Sequence, residues 1–442
     1  MNKAAAKLKT FLNKRRPDNT GDLTAVSLFS GVGISDIGYE LAGFQFQVQV
    51  EQDQNRAGIG EANFPCSKWI AKGVKDVCEE VAEVYQARTA HRLDLLVATP
   101  PCQGMSSSNP SRGKRRTKSS RVNDEKNSLI LQIVPIVEAL RPRVIVSENV
   151  RQILTHPVTE DGNERRVLDL LIERLPEYRF LETSINVADF GVPQTRFRAL
   201  VVAVHQDEHW LPAMEEAQLL PWPRATHGEA RANGTRPWLT LREWLTHMSY
   251  PTLSSHSAEA AKDGHPLHFV PDYDSDRFLL VSCIPPHTGH SAYENSSCTS
   301  CGRQAIPVGL ASCPSCGKPM INRPIVVEPQ GPRLIKGFDS SYRRMRSDQP
   351  ASTVTTNSSH VGSDNKIHPW ENRVLSILEC ADLQTVPRFY DWSTALTKRR
   401  SYLVRNAVGE AFPSYFTYLH GRVRRRLLRD DAIPRRLLAR NP

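Results

Sequence analysis

The chain has 442 residues, 39% of them hydrophobic and 24% charged, the composition of a folded globular protein with apolar material for two or three domains. A net charge of +10 points to a polyanionic partner, and no apolar run approaches the roughly 18 residues needed to cross a bilayer, so no membrane is expected. Nine cysteines, an odd number with four in two CxxC pairs, argue against a disulfide framework and for a reducing compartment with a metal site.

Residues 1–22 are basic and lack the apolar stretch of a secretory signal, so they are expected to form a tail. Next, "LTAVSLF" (23–29) reads as a strand, "ISDIGYELAGF" (34–44) as a helix and "FQVQVE" (46–51) as a second strand. The turn "LFSGVGISDIG" (28–38) sets Gly31 and Gly33 between strand and helix, where glycine permits a tight turn and close approach of a ligand. Glu51 ends the following strand, a position suited to a carboxylate that binds ribose hydroxyls. With only GxG, the turn suits a nucleoside cofactor without pyrophosphate, or a purely structural βα turn.

"LDLLVAT" (93–99) and "RVIVSEN" (143–149) are further strands around a helix at 128–142, and "FRALVVAV" (197–204) closes the series. This alternation indicates a doubly wound α/β sheet. Cys102 stands just beyond the strand at 93–99, after Pro100 and Pro101, where open α/β sheets place their chemistry. The prolines fix the direction of a thiol that a structural role would instead have buried within the apolar run. From about 206 to 345 the pattern loses periodicity, marking a second domain or a large insertion, and helical spacing returns at 371–384. Basic clusters lie at 13–17, 111–121 and 421–440.

In this order, "FSGVG" (29–33), "PPCQG" (100–104), "ENV" (148–150), "QTRFR" (194–198), "RRMRSDQPASTVTT" (343–356) and "RNAVGEAFP" (405–413) resemble the motifs of cytosine-5 DNA methyltransferases of the bacterial modification type. The resemblance covers roughly 23–205 and 335–415. It implies a Rossmann-like α/β domain dependent on S-adenosyl-L-methionine, facing a smaller target recognition domain across a DNA cleft. It also implies that Cys102 attacks carbon 6 of a flipped-out cytosine, that Glu148 contacts ring nitrogen 3 and that Arg198 bonds oxygen 2. Arg196, the other arginine of QxRxR, joins them as a catalytic candidate. Segment 106–127 then reads as a mobile loop whose Lys114, Arg115, Arg116 and Lys118 reach phosphates.

For the cofactor, the resemblance implies Phe29, Gly31, Gly33, Glu51, Asp76, Pro100, Asn406 and Val408. Departures from the family pattern are Ser27 for a common Asp, Ile34 for a second Gly, Gln52 for an aromatic, and RNAVG in the last motif. The implied partner is double-stranded DNA, the expected location the cytoplasm of a bacterial or phage-infected cell and the expected state a monomer, with a cognate restriction endonuclease encoded nearby as a further partner. An RNA cytosine-5 methyltransferase and a non-catalytic zinc-dependent DNA-binding protein are the alternatives.

In "CTSCGRQAIPVGLASCPSCG", Cys298, Cys301, Cys313 and Cys316 form two knuckles, each followed by glycine, whose spacing suits four thiolates around one structural Zn2+. The expected division is a catalytic domain at 23–205, a recognition domain at 206–365 with zinc knuckles at 298–316, a segment at 366–425 completing the catalytic domain, and a basic tail at 426–442.

Overall fold

The computed structural model describes residues 2–18, 21–101, 128–160, 162–229, 234–256, 264–337, 340–362, 366–397, 401–429 and 433–440. Helix α1 (Lys3–Leu12) opens the chain, its first amides capped by the Asn2 side chain. Ala5, Leu8, Phe11 and Leu12 form a buried stripe at helical spacing, so the segment expected to be a tail is docked on the core.

Strands β1 (Leu23–Leu28), β2 (Phe44–Val50) and β3 (Lys68–Ile70) alternate with helices α2 (Ile34–Leu41) and α3 (Gln54–Asn63). Helix α4 (Cys78–Arg88), strand β4 (Leu95–Ala98), helix α5 (Val134–Leu140) and strand β5 (Val144–Asn149) follow. The single helix expected over 128–142 is instead a 3-10 turn, Leu129–Ile133, running into α5, with Pro135 in the first turn of α5 where its missing N–H is tolerated. A hairpin of β6 (Pro157–Glu160) and β7 (Asn163–Arg166) precedes helix α6 (Val167–Arg174) and the long strands β8 (Tyr178–Asn186) and β9 (Phe197–His205).

The main sheet has the order β3-β2-β1-β4-β5-β9-β8. The first five strands are mutually parallel, and β9 runs antiparallel between β5 and β8. Every residue of β1 and β4 is buried, as a parallel strand covered on both faces must be. On one face Ala25, Phe44, Val97 and Val202 pack with Ile37 and Phe416; on the other Val26, Val48 and Leu96 pack with Val81, Ile136 and Leu170.

The first core extends past the boundary expected at 205. Helix α7 (Trp210–Glu216), strands β10 (Leu219–Pro223), β11 (His227–Gly228) and β12 (Arg236–Pro237), and helix α8 (Leu241–Met248) follow β9, and Trp210, Met214, Trp222 and Trp244 join the sheet's core. The region beyond, with helix α9 (Ser275–Ser282) and hairpin β13 (Ile325–Glu328) and β14 (Gly331–Leu334), carries only small apolar clusters. Buried arginines organise it instead: Arg344 donates to the carbonyls of Val281, Ile284, His368 and Glu371.

Helices α10 (Ile377–Leu383), α11 (Ser393–Thr397), α12 (Ser401–Glu410) and α13 (Ser414–Leu428) return to the first core. Strand β15 (Leu438–Arg440) pairs antiparallel with β10, so the segment expected as a basic tail from 426 is anchored by Leu427, Leu428 and Leu438.

Candidate functional site

At the carboxyl end of β1 the chain turns sharply, with Phe29, Gly31 and Gly33 all at positive φ (59°, 58° and 82°). A Cβ on Gly33 would lie 2.5 Å from the Phe64 ring, whereas one on Gly31 would meet nothing within 4 Å. Gly33 is thus required for packing as well as φ, and the space over Gly31 is open to a ligand. The Glu51 carboxylate holds the turn, accepting from Gly31 N at 3.0 Å and Asp53 N at 2.9 Å. Burial pushes its pKa above the ordinary carboxylate value, against the pull of those amides.

Beneath the turn lies a group that the motif reading missed. The Asp36 carboxyl is fully buried and accepts from Gln49 Nε2 at 2.7 Å, and burial raises its pKa to about 7. The signal was present as three polar residues, Ser27, Asp36 and Gln49, in otherwise apolar stretches. The C-terminal segment closes over the same turn: Ser414 Oγ donates to Ile34 O, Tyr390 Oη to Val32 O, and Arg56 pairs with Glu410 at 2.8 Å.

Of the remaining cofactor candidates, Asp76 is exposed on a 3-10 turn and Asn406 is half-buried on α12. Pro100 is buried, and its carbonyl accepts from Asn149 Nδ2 at 3.0 Å, which ties the strand leading to Cys102 to the end of β5. Val408, on the same helix, has its side chain 0% exposed inside the first core.

Glu148 lies near the end of β5, and its carboxylate meets Arg198 Nε of β9 at 2.8 Å. The antiparallel register sets Glu148 opposite Leu200, so Arg198, two residues away on β9, projects to the same face. Burial raises the Glu148 pKa, opposed first by the Arg198 charge and then by that of Arg196. Beside this pair Arg151 stacks on the Phe197 ring, 4.6 Å from its centroid.

The two arginines of QTRFR have different environments. Arg196 is 0% exposed; its guanidinium donates to the carbonyls of Val354 (2.9 Å), Gly409 (3.2 Å) and Glu410 (3.0 Å). It braces β9 against segment 351–356 and the end of α12. Gln194 adds to the brace by accepting from Val354 N and donating to Leu383 O. The motif at 343–356 therefore supports the arginine strand. Gly409 permits that contact, since a Cβ there would lie 2.4 Å from the backbone of Thr355.

Cys102 and the loop at 106–127 lie outside the described residues. The strand that leads to them, β4, runs parallel beside β5, with Ala98 opposite Ser147.

Away from the sheet, the sulfurs of Cys298, Cys301, Cys313 and Cys316 lie within 4.8 Å of one another. Cys298 and Cys316 are 3.8 Å apart and Cys301 and Cys313 3.7 Å apart. Four sulfurs about 2.3 Å from one tetrahedral Zn2+ would be about 3.8 Å apart, so the set fits that ion. Each knuckle repeats the same turn, with Gly302 N donating to Cys298 O and Gly317 N to Cys313 O. Amides of Ser300 and Ser315 point at the Cys298 and Cys313 sulfurs, and both thiols have lowered pKa values. Arg323, 1% exposed, fills the interior of the module and donates to the carbonyls of Asn295, Ile306, Pro307 and Leu310.

The family model described as C-5 cytosine-specific DNA methylase matches residues 23–414. Among curated relatives, Type II methyltransferase M1.HgaI of Avibacterium volantium is 25% identical over 403 residues, covering 89% of this chain and 95% of that protein. Type II methyltransferase M1.HphI of Haemophilus parahaemolyticus is 29% identical over 368 residues, covering 83% and 78%. Among solved structures, a prophage-encoded E. coli protein assigned as a DNA modification methyltransferase superposes with a TM-score of 0.54 at 18% identity, over 92% of this chain and all of that one. The Entamoeba histolytica methyltransferase EhMeth gives a TM-score of 0.53 at 12% identity, covering 92% and 98%. These structural likenesses concern the fold.

Proposed function

The chain belongs to the C-5 cytosine-specific DNA methylase family and methylates carbon 5 of cytosine in DNA, and on that premise we propose how its residues divide the work. The observation that supports the division is the buried Glu148–Arg198 pair at the carboxyl end of the sheet, one strand from the segment leading to Cys102.

Cys102, as thiolate, adds to carbon 6 of a cytosine extruded from duplex DNA, which makes carbon 5 enamine-like. Protonated Glu148 donates to ring nitrogen 3 as charge builds there, and burial shifts the carboxyl towards its protonated form. Arg198 holds the Glu148 carboxyl in place and donates to oxygen 2 of the base. The S-adenosyl-L-methionine that the family implies supplies the methyl as a sulfonium electrophile. Carbon 5 takes the methyl and then loses its hydrogen as a proton to water, expulsion of the Cys102 thiolate restores the 5,6 double bond, and the nitrogen 3 proton returns to the Glu148 carboxylate. Arg196 touches no reacting atom and acts as a positioning residue.

Phe29, Gly31, Gly33 and Glu51 would hold the cofactor's nucleoside against the βα turn, where the space over Gly31 fits it. Asp76, Pro100, Asn406 and Val408 would complete that pocket. The four cysteines would bind a structural Zn2+ in the recognition region, giving a module with little apolar core its folding energy. The chain would act as a monomer in the cytoplasm, beside a cognate endonuclease; among the described residues no helix is long and apolar enough to cross a membrane.

The test is transfer of labelled methyl from S-adenosyl-L-methionine to mixed-sequence duplex DNA and, in parallel, to transfer RNA, followed by mapping of the modified cytosines. Label on DNA that is lost in Cys102→Ala is the expected result, and the map gives the recognition sequence. Label that persists in Cys102→Ala, or that goes to transfer RNA alone, would overturn the reading.

A further inference from the structure

Two of the three basic clusters in the sequence have no part in the site described above. Between Asn2 and Pro17 the chain carries Lys3, Lys7, Lys9, Lys14, Arg15 and Arg16, and from Ser414 to Arg429 it carries Arg422, Arg424, Arg425, Arg426 and Arg429; neither stretch contains an Asp or Glu. The fold brings these two stretches together as α1 and α13. Phe11 of α1 packs edge-on against Tyr415 of α13, with centroids 5.1 Å apart, and lies 5.4 Å from Tyr418. On this aromatic base the cations are laid out: Lys7 Nζ 6.0 Å from the Tyr415 centroid, and Lys14 Nζ and the Arg422 guanidinium 5.3 and 5.7 Å from that of Tyr418.

Arg236 of β12 adds a fourth charge. Lys7 has its pKa lowered by burial, then by Arg422 and Arg236, which places the three cations within electrostatic reach of one another. Among the described residues, Asp22 pairs with Arg425 and Arg429, but Lys7, Lys14, Arg236 and Arg422 form no ion pair. Protein surfaces ordinarily intersperse both signs. A rigid convergence of cations without a carboxylate carries a repulsive cost that an external polyanion relieves.

We propose that this face of α1, α13 and β12 is a second DNA-backbone surface, which binds phosphates of duplex lying outside the catalytic cleft. The inference rests on duplex DNA being the substrate. That substrate is a polyanion extending far beyond any recognition sequence, which favours it over an acidic protein or an anionic lipid surface. Aromatic rings limit the freedom of the cationic side chains, so less entropy is lost when a phosphate is bound.

The test uses the full chain carrying Lys7→Gln, Lys14→Gln and Arg422→Gln together, which keep much of the side-chain bulk and remove three charges. Binding is measured on a non-cognate duplex of about 60 base pairs across a salt series, where the plot of log K against log salt is expected to flatten by about 2.7, or 0.9 per lost phosphate contact. Methylation is measured on that length carrying the recognition sequence, and on a duplex of about 16 base pairs, about one and a half helical turns, that spans little more than the sequence itself. KM is expected to rise on the long duplex and to stay unchanged on the short one.

An unchanged salt slope would overturn the proposal, as would an equal loss on both lengths, which would mean the residues act through the site or the fold. A charge-preserving variant, Lys7→Arg with Lys14→Arg and Arg422→Lys, is expected to keep the wild-type slope; if it falls with the glutamine variant, packing rather than charge is responsible and the proposal fails. Wild-type methylation of the short duplex is the separate check on the catalytic reading. The non-cognate salt slope remains decisive whatever that check returns.

Discussion

Glu148 and Arg198 show how two strands can set opposed influences on one buried carboxyl group. Burial raises the Glu148 pKa and the Arg198 charge lowers it, so the group sits between two opposed effects. If protonated Glu148 donates to the base, activity falls as pH rises through its pKa. Replacing Arg198 with leucine removes the stronger of the two charges that favour the carboxylate, so the Glu148 pKa moves further up. The alkaline limb of the kcat/KM profile is therefore expected to shift to higher pH, while the plateau falls about 10- to 100-fold for the loss of a hydrogen bond to a charged group. A pH–rate series on both proteins checks this. A limb that moves down, or does not move, would mean that another group controls it. Arg196 gives a contrast at the same scale: two positions away, just before β9 begins, it meets three main-chain carbonyls instead of a carboxylate.

At the scale of the element, Arg323 stands where a small domain would ordinarily place an aliphatic side chain. Its guanidinium satisfies four backbone carbonyls, and the apolar cluster beside it consists of Cys298, Ile306, Cys313 and Met320 alone. Arg323→Met keeps much of the volume but leaves those carbonyls buried without donors, at a cost of about 1–3 kcal/mol each. The variant is expected to lose hydrogen-exchange protection across 295–323 while strands β1, β4 and β5 keep theirs. Protection that falls equally in the sheet would show that the module is not an independent unit. The same reliance on arginine explains which elements were legible in the sequence. Strands β1, β4, β5 and β9 are mainly apolar runs, and the motifs that carry Glu148, Arg198 and the cysteine knuckles are local. The region around Arg344 has little hydrophobic period because a buried guanidinium shares its interior with a small apolar cluster; Arg373, within the helical spacing at 371–384, adds a bidentate, buried pair with Glu379. No pattern of apolar spacing announces such a core. Likewise, the basic composition of 1–22 concealed the apolar stripe of α1, and nothing local distinguishes Val408, which is fully buried, from Asn406, half-buried two residues earlier on the same helix.

For the whole molecule, the cores separate two kinds of work. The sheet, its helices and the C-terminal return share large apolar clusters that include the βα turn and reach the Glu148 strand, whereas the cysteine module has its own small cluster. The module's stability would therefore come from Arg323 and from a metal held by the four thiolates, while the βα turn draws on neither. If Zn2+ occupies the four thiolates, treating the protein with a strong chelator is expected to release about one ion per chain, the number four cysteines in tetrahedral geometry can hold. Binding of S-adenosyl-L-methionine, followed by calorimetry, is expected to be unchanged, because Gly31, Gly33 and Glu51 lie in a core the metal does not support. Methylation of cognate duplex is expected to fall through a raised KM for DNA, with Zn2+ restoring it, since the recognition region would lose its shape. Cys316→Ser, which removes one exposed ligand, should reproduce the loss without chelator. If the chelated protein lost cofactor binding as well, the two cores would be coupled, and a metal there would be holding the sheet's core as well as the cysteine module.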